Sequence, residues 1–490
     1  MEDWLLARAL STPRALALVI GDQSWDYGAL NVLVEHFARA LSSQITVGDR
    51  IAVLLPNNLH FACLIHAAAR MGAVLVPLNR RLSPSELAWQ IERARCKVII
   101  ASQETATMLA KPAPTDPPLL LSEDLAASQP RGPERWPPVD TNRLQSIVFT
   151  SGTTGSPKGA KLTLGNHFYS AVASSYRLGV EPMDLWLCCL PLYHVGGMAI
   201  MLRSCLYGTA AILHDGFDLQ AIRADLIMRP VTLLSLVPTM LHRLLRVQPA
   251  TQWPETLRHV LLGGAAVPPE LLAICHKQGI PVSVTYGLTE AASQVATMIG
   301  ADVWHKPGSS GHPLLFTQLK IVNSDGDRLL PRQIGEIIVK GPTVMSGYDG
   351  DEAATNQALR AGWLFTGDMG YLDEDGDLWV VQRGDDIIIS GGENIYPAEV
   401  EAILASHPQV EEVCVVGLAE PEWGQIVAAA LVLASDESLD RKALTAFCRD
   451  RLAGYKIPRR VLFLKELPKT ASGKIHRRAV AEKFLADSRT

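Results

Sequence analysis

The sequence has no excess of positive charge. Its 45 lysine and arginine residues are outnumbered by 50 aspartate and glutamate residues, and the formal net charge is −5 at pH 7. A protein that binds the phosphate backbone of a nucleic acid needs a concentrated basic surface. The composition therefore predicts no nucleic-acid partner.

Paired cysteine motifs and long apolar runs are also missing. The eight cysteines form no C-x-x-C motif, and the adjacent Cys188 and Cys189 suit neither a simple disulfide nor a zinc site. No run reaches the roughly 18 apolar residues of a membrane span, and the acidic start of the chain is unlike a secretory signal. We expect a soluble, cytoplasmic protein with reduced thiols and no stable membrane insertion. The oligomeric state stays open, and a homo-oligomer is compatible with the sequence.

What the chain does contain is the alternation typical of an α/β fold. With 490 residues and 48% hydrophobic composition, it is long enough for about three packed units. Short β-rich runs alternate with helix-period stretches, which predicts two βαβ lobes over about residues 1–310. The eight prolines within residues 111–140 predict an irregular connection between layers of one large domain.

The pattern changes in the last third of the chain. Closely spaced strands with Gly and Asp turns predict a small β-barrel or sandwich over about residues 311–384, which would complete a large N-terminal domain, residues 1–384. Residues 385–490 have a mixed α+β pattern, including predicted helices at residues 397–405 and 439–452. We interpret them as a small, mobile C-terminal domain.

The strongest local signal is the string F-T-S-G-T-T-G-S-P-K-G at residues 149–159. It follows a predicted strand, and its glycines, hydroxyls and lysine suit an anionic phosphate, although the spacing of a Walker loop is absent. The alternative is a flexible surface turn, because Ser, Thr and Gly are common in turns. The candidate phosphate-binding residues are Thr150, Ser151, Gly152, Thr153, Thr154, Gly155 and Lys158.

The whole string resembles the signature loop of the adenylate-forming superfamily, which includes acyl-CoA ligases, nonribosomal adenylation domains and luciferases. Further motifs similar to that family follow in the expected order. They are L-G-G-A-A at residues 262–266, Y-G-L-T-E at 286–290, G-W-L-F-T-G-D at 362–368, R-G-D-D at 383–386, S-G-G-E-N-I-Y-P at 390–397 and P-K-T-A-S-G-K at 468–474. The resemblance implies an enzyme that uses ATP and Mg²⁺ to activate a carboxylic acid as its acyl-adenylate.

The same resemblance implies a nucleotide site. Tyr286 is expected to stack on adenine, while Asp368 and Arg383 hold the ribose. Thr289 is implied to bind phosphate and Glu290 to bind Mg²⁺, since a hard cation prefers carboxylate oxygens. The other implied nucleotide contacts are Gly263, Gly264, Ala265 and Gly287.

The remaining motifs imply two half-reactions in two domain orientations. Lys474 is implied to counter the charge that develops at the α-phosphate, and Asp385 to be the hinge. After rotation, Gly391 and Gly392 are expected to line a tunnel for the thiol of coenzyme A. His194 matches an aromatic gate beside the acyl pocket; taken alone, a histidine between apolar residues is more often a hydrogen-bonded core residue.

The acid is the least specified part. The segments at residues 165–171 and 186–194 are similar to those of o-succinylbenzoate–CoA ligases of menaquinone synthesis. Arg203 would then bind the second carboxylate, although an arginine that snorkels from a helix end is the competing interpretation. Thr285 and Ser293 are candidate acyl-pocket residues. Gly196, where those ligases often carry serine, leaves an aryl- or fatty-acyl-CoA ligase as an alternative, and a non-catalytic nucleotide-binding homologue as a minor one.

Overall fold

A computed structural model describes residues 3–109, 117–133, 135–150, 157–247, 252–382, 387–434, 439–468 and 475–487. The first part of the chain alternates helices with short strands. Its elements are α1 (Trp4–Ser11), β1 (Leu16–Ile20), β2 (Gln23–Asp26), α2 (Tyr27–Leu41), β3 (Arg50–Leu54), α3 (Leu59–Met71), β4 (Val74–Pro77), α4 (Pro84–Arg93), β5 (Val98–Ala101), α5 (Gln103–Ala106), β6 (Leu119–Leu121), α6 (Ser122–Ala127), β7 (Leu144–Thr150) and β8 (Lys158–Thr163).

The second part continues this alternation and ends in an antiparallel hairpin. Its elements are α7 (Leu164–Leu178), β9 (Leu185–Cys188), α8 (Val195–Tyr207), β10 (Ala210–Leu213), α9 (Leu219–Met228), β11 (Leu233–Leu236), α10 (Pro238–Arg246), β12 (His259–Leu262), α11 (Pro269–Lys277), β13 (Val282–Leu288), a 3₁₀ turn (Thr289–Ala291), β14 (Ser293–Met298) and α12 (Asp302–His305).

The last parts are β-rich and then mixed. The β-rich segment contains β15 (Ser309–Pro313), β16 (Gln318–Val322), β17 (Gly335–Lys340), α13 (Glu352–Ala358), β18 (Leu359–Arg360), β19 (Trp363–Leu372) and β20 (Leu378–Gln382). The C-terminal segment contains β21 (Ile388–Ser390), β22 (Glu393–Ile395), α14 (Pro397–Ala405), β23 (Val410–Glu420), β24 (Gly424–Leu433), α15 (Arg441–Arg449), β25 (Arg460–Phe463) and α16 (Arg477–Asp487).

Three sheets organise these elements. The first has the order β6-β5-β3-β4-β7-β8, and its central strands β3, β4 and β5 are parallel. Every residue of β4 and β5 is buried, as expected of strands covered on both faces by helices. The second sheet has the parallel neighbours β13-β12-β11-β9-β10-β1 at its centre. The third, order β22-β21-β24-β23 with β25 beside β24, forms the C-terminal unit.

The β-rich segment is joined to the second sheet. Strand β15 pairs with β14 on one side and with β20 on the other, so antiparallel pairing continues from one into the other. The N-terminal hairpin β1–β2 also belongs to the second sheet, through β10. The boundaries near residues 310 and 384 remain predictions.

Two details differ from the sequence-based expectations. The proline-rich connection is not wholly irregular, because three consecutive leucines form β6, which pairs in parallel with β5. The helix expected at residues 439–452 is shorter, α15, and begins after the N-cap Asp440. The helix predicted at residues 397–405 is present as α14.

In the described part of the chain, no helix combines the length and the apolar character that crossing a membrane requires.

Candidate active site

A cavity of about 700 Å³ lies between the ends of the sheet strands and the C-terminal unit. The N-terminal part contributes loops that follow strands, which is the usual place for a ligand in an α/β sheet. The C-terminal part contributes residues on both sides of β22 and two residues near β25. From the N-terminal part come Thr150, His194, Arg203, Gly263, Gly264, Thr285, Gly287, Thr289, Glu290, Ser293, Gln294, Tyr348 and Asp368, and from the C-terminal part Gly391, Gly392, Glu393, Trp423, Tyr455 and Lys456.

One end of the cavity has the features of a nucleoside site. The hydroxyl of Tyr286 donates to Oδ2 of Asp368 at 2.7 Å, and both side chains are buried. The bond fixes the tyrosine ring beside the carboxylate that was predicted to hold ribose, although Tyr286 itself does not line the cavity. A Cβ added to Gly263 would lie only 2.9 Å from a methyl group of Thr285, so glycine keeps this wall open. Gly264 also lines the cavity, whereas Ala265 lies next to it in the loop without lining the cavity.

Gly287 has a separate structural role. A Cβ at this position would lie 1.9 Å from the carbonyl oxygen of Ser293, at the irregularity where β13 pairs with β14. Only glycine allows the two strands to approach this closely. The glycine therefore brings the turn with Thr289 and Glu290 into the cavity.

Glu290 lines the cavity at the end where phosphate was predicted to bind. Its Oε1 accepts from the hydroxyl of Tyr348 at 2.9 Å and from that of Thr150 at 3.4 Å. Burial raises the pKa of Glu290, and these two neutral donors only partly oppose that effect. A carboxylate without a cation among its hydrogen-bond partners in the described residues fits a divalent metal ion. The ammonium of Lys158 lies 5.4 Å from the centre of the Tyr348 ring and does not line the cavity.

His194, which was predicted to be a gate beside the acyl pocket, contacts the C-terminal unit. Its Nε2 lies 3.1 Å from Oε2 of Glu393, and Oε1 of Glu393 accepts from the hydroxyl of Tyr193 at 3.0 Å and from Nη1 of Arg81 at 3.3 Å. Burial alone would raise the pKa of Glu393, but His194, Arg81 and Tyr193 together lower it to about 2. Asn79 adds a further donor at 3.2 Å. Glu393 thus anchors the C-terminal unit to the wall of the cavity beside His194.

Arg203 lies in the middle of α8 and is 2% exposed, so it does not snorkel from a helix end. Its Nη2 donates to Oγ of Ser170 at 3.2 Å, and its guanidinium lies 6.0 Å from the Trp186 ring centre. Its Nε has no hydrogen-bond partner among the residues that the structure describes. Burial lowers the pKa of Arg203. A buried cation with a free donor beside a cavity is suited to an anionic ligand.

Other predicted acyl-pocket residues are brought to the same wall. The hydroxyl of Thr285 donates to the carbonyl of Ala296 at 3.0 Å, and Gln294 donates to Thr297 at 3.1 Å. Within the described part of the chain, Oε1 of Gln294 has no hydrogen-bond partner, and the residue is 3% exposed. Ser293 also lines the cavity, directly after the turn that carries Glu290.

Gly391 and Gly392 lie where the two parts of the chain meet. Both have positive φ, 58° and 87°, and a Cβ on Gly391 would lie 2.7 Å from the Trp423 ring. The predicted tunnel position is therefore consistent with their placement at the cavity. The following predicted site residues lie outside the described residues: Ser151, Gly152, Thr153, Thr154, Gly155, Arg383, Asp385 and Lys474.

Sequence reasoning missed two functional candidates. Tyr348 binds Glu290 from a loop 58 residues away, and no local pattern singled it out. Glu393 lies inside the quoted motif at residues 390–397, yet its partners lie about 200 to 314 residues away in the chain. Its presence was visible in the sequence, but its contacts were not.

Family models match most of the chain. The model described as AMP-binding enzyme matches residues 5–349, and that described as AMP-binding enzyme C-terminal domain matches residues 399–474. The chain therefore belongs to the AMP-binding enzyme family, and its assignment to the adenylate-forming superfamily with an α/β fold is confirmed.

Particular relatives narrow the comparison. The chain is 42% identical over 479 residues to the 2-succinylbenzoate–CoA ligase of Geobacillus kaustophilus (strain HTA426), covering 98% of this chain and 97% of the relative. It is also similar to o-succinylbenzoate CoA synthetase from Bacillus subtilis. A double mutant of that enzyme, bound with the product analogue OSB-NCoA, superposes with a TM-score of 0.93 at 36% identity, and 98% of each chain is covered.

A second structure of the Bacillus subtilis enzyme has a lower TM-score against this chain. In complex with ATP and magnesium ion it has a TM-score of only 0.75, although identity is 37% and the coverage is 98% of this chain and 99% of that one. Since sequence similarity and coverage hardly differ, the lower score reflects a different conformation of that protein. In overall conformation, the described chain is more similar to the structure bound with the product analogue than to the structure with ATP and magnesium ion.

Proposed function

We propose that this chain is an ATP-dependent, AMP-forming acid–thiol ligase that makes o-succinylbenzoyl-CoA from o-succinylbenzoate and coenzyme A in menaquinone biosynthesis. The observation that carries the choice of acid is Arg203. Its substrate has two carboxylates, of which only one reacts, and Arg203 offers a buried positive charge for the other. A monocarboxylic aryl or fatty acid has no use for this cation.

In the first half-reaction, a carboxylate oxygen of the acid attacks the α-phosphorus of ATP. The new acyl–phosphate bond forms as the bond to pyrophosphate breaks, and pyrophosphate leaves. Thr289 and the loop that includes Thr150 and Lys158 bind the phosphates, and Lys474 supplies positive charge at the reacting phosphorus. Tyr286 and Asp368 hold the adenosine.

Glu290 fits the role of Mg²⁺ ligand, because its half-buried carboxylate accepts from two neutral hydroxyls and, among the described residues, has no cation as a hydrogen-bond partner. Bound Mg²⁺ neutralises phosphate charge. The protein's own contribution is to fix the carboxylate: Tyr348 and Thr150 both donate to Oε1, which orients the group towards the cavity. The glycine wall at Gly263 leaves room for the nucleotide.

In the second half-reaction, the thiol of coenzyme A attacks the acyl carbon, the thioester forms, AMP leaves and the thiol proton is released. The N-terminal residues 1–384 and C-terminal residues 385–490 act as two domains that rotate about Asp385 between the steps. Glu393 draws His194 towards the domain interface in the arrangement described here. Gly391 and Gly392 leave space for the thiol arm.

The proposal is tested with purified enzyme, ATP, Mg²⁺ and coenzyme A. Pyrophosphate release is measured with o-succinylbenzoate, benzoate, 4-coumarate and octanoate. We expect selective turnover of o-succinylbenzoate. Preference for a monocarboxylate would keep the adenylation chemistry and overturn both the acid and the pathway; release with none of the acids would support a non-catalytic homologue.

A further inference from the structure

We propose that Ser170 is a positioning residue that holds the metal-binding turn of Glu290 and links this turn to Arg203 in the acyl pocket. The inference rests on the proposed function, because it needs Glu290 at the phosphates and Arg203 at the acid. Ser170 does not contact the reacting atoms; it acts through its hydrogen bond to the backbone that follows Glu290.

The turn that carries Glu290 ends in an unfavourable backbone conformation. Directly after the 3₁₀ turn, Ala292 has φ 51° and Ser293 has φ 99°. Non-glycine residues with positive φ are strained and persist where surrounding contacts impose this conformation. The position of Glu290 therefore depends on what holds the residues that follow it.

Helix α7 supplies one of these contacts directly. Oγ of Ser170 donates to the carbonyl oxygen of Ala292 at 2.6 Å, while the same Oγ accepts from Nη2 of Arg203 at 3.2 Å. Ser170 is 2% exposed, so its hydroxyl does not exchange these partners for water. A hydrogen bond accepted from a cation strengthens the bond that the hydroxyl donates.

The same helix face supports the other flank of the turn. Asn166, one turn before Ser170, donates through Nδ2 to the carbonyls of Pro342 and Val344 at 2.8 and 2.9 Å. The backbone N–H of Met345 then donates to the carbonyl of Glu290 at 2.8 Å. Residues four apart on a helix share a face, so α7 holds both sides of the turn.

This arrangement gives Ser170 a distinctive effect on the reaction. Without its hydroxyl, the carbonyl of Ala292 loses its donor, the strained turn relaxes and the Glu290 carboxylate shifts. A small misplacement of a group that organises reacting phosphates is costly, on the order of tenfold or more in rate. Only the first half-reaction involves ATP and Mg²⁺, and Arg203 keeps its buried charge beside the acyl group in the variant, so only the first step is expected to suffer.

The test is Ser170→Ala, with Ser174→Ala as its matched control. Ser174 lies one turn further along α7, is equally buried, and makes no hydrogen bond to residues 289–293 in the described part of the chain. For Ser170→Ala we expect pyrophosphate formation to fall about tenfold and the Mg²⁺ concentration for half-maximal rate to rise. Thiolysis of preformed acyl-adenylate should keep its wild-type rate.

Equal losses in both half-reactions, or no difference from Ser174→Ala, would overturn the proposal. The assay uses whichever acid the wild-type enzyme activates, so a wrong substrate assignment is recognised from the wild type alone. Asn166→Ala is a second variant that loosens the other flank, and it should show the same selective loss if Ser170→Ala does not fold.

Discussion

Two buried cations line the cavity, and they differ in their partners. Lys456 is 2% exposed, and its Nζ lies 2.6 Å from both Glu86 and Glu399. Arg203 is equally buried, but among the described residues it has one neutral partner, Ser170, and no carboxylate. Burial on its own lowers the pKa of both groups, yet the two glutamates raise that of Lys456, whereas the pKa of Arg203 stays lowered.

The difference in partners indicates that Lys456 has a structural role and that Arg203 is available to bind an anionic ligand. Burying a charge is costly unless it is paired, so a chain that buries an arginine without a carboxylate gains stability only when an anion arrives. Lys456 instead joins Glu86 of α4 to Glu399 of α14 and so connects the two parts of the chain. The comparison predicts opposite outcomes for removing each charge.

The largest expected effect is on stability, in Lys456→Met. The substitution leaves Glu86 and Glu399 close together without their cation, and breaking a buried pair in this way typically costs about 3–5 kcal/mol. We expect a clearly lower melting temperature by calorimetry. Lys442→Met, at an exposed position of α15, is the control and should melt like the wild type. If the two variants have the same melting temperature, the ion pairs of Lys456 do not stabilise the fold.

Arg203→Met should behave in the opposite way. Because no carboxylate is left unpaired, the melting temperature should be unchanged or higher. The KM for o-succinylbenzoate should rise by about 10–100-fold, the value of one charged hydrogen-bond contact. The matched control is the substrate: KM for benzoate, which lacks the second carboxylate, should hardly change. A large loss of stability with an unchanged KM would make Arg203 structural.

The nucleotide part of the site could be predicted from the sequence more fully than the surroundings of Arg203. The nucleotide motifs are contiguous strings, so Tyr286, Asp368 and Glu290 could be singled out by pattern, although Tyr286 and Asp368 lie within β13 and β19 and only Glu290 follows a strand. The burial of Arg203 could not, since it depends on the packing of α8 against α7. A single helical position is equally compatible with a snorkelling and a buried arginine.

The fold shows the same limit. The βαβ alternation and the helix at residues 397–405 follow from local periodicity, and both are present. The pairing of the N-terminal hairpin with β10, more than 180 residues away, has no local signal. The ion pair of Lys456 with Glu86 likewise depends on how the two parts of the chain meet, which no motif encodes.

The smallest expected effect concerns pH and the second contact between the two parts, Glu393. Its pKa in the folded chain, about 2, lies below the ordinary value of 4.5, so the charged form stabilises the fold. A lowered pKa contributes stability that is present above the ordinary value and is lost as the pH falls towards 2. At neutral pH, Glu393→Gln should therefore melt below the wild type, and the gap should narrow between about pH 5 and pH 3.

Calorimetry across this range, with the exposed Glu411→Gln as control, measures that gap. A gap that stays constant with pH would mean that the Glu393 charge, with His194 and Arg81 around it, adds nothing to the domain contact. In that case Lys456 alone would hold the two parts together electrostatically. If the difference in melting temperature from the wild type narrows for Glu393→Gln but not for Glu411→Gln, Glu393 is a second paired charge at the interface. Arg203 then differs from both Lys456 and Glu393, because it has no charged partner among the described residues.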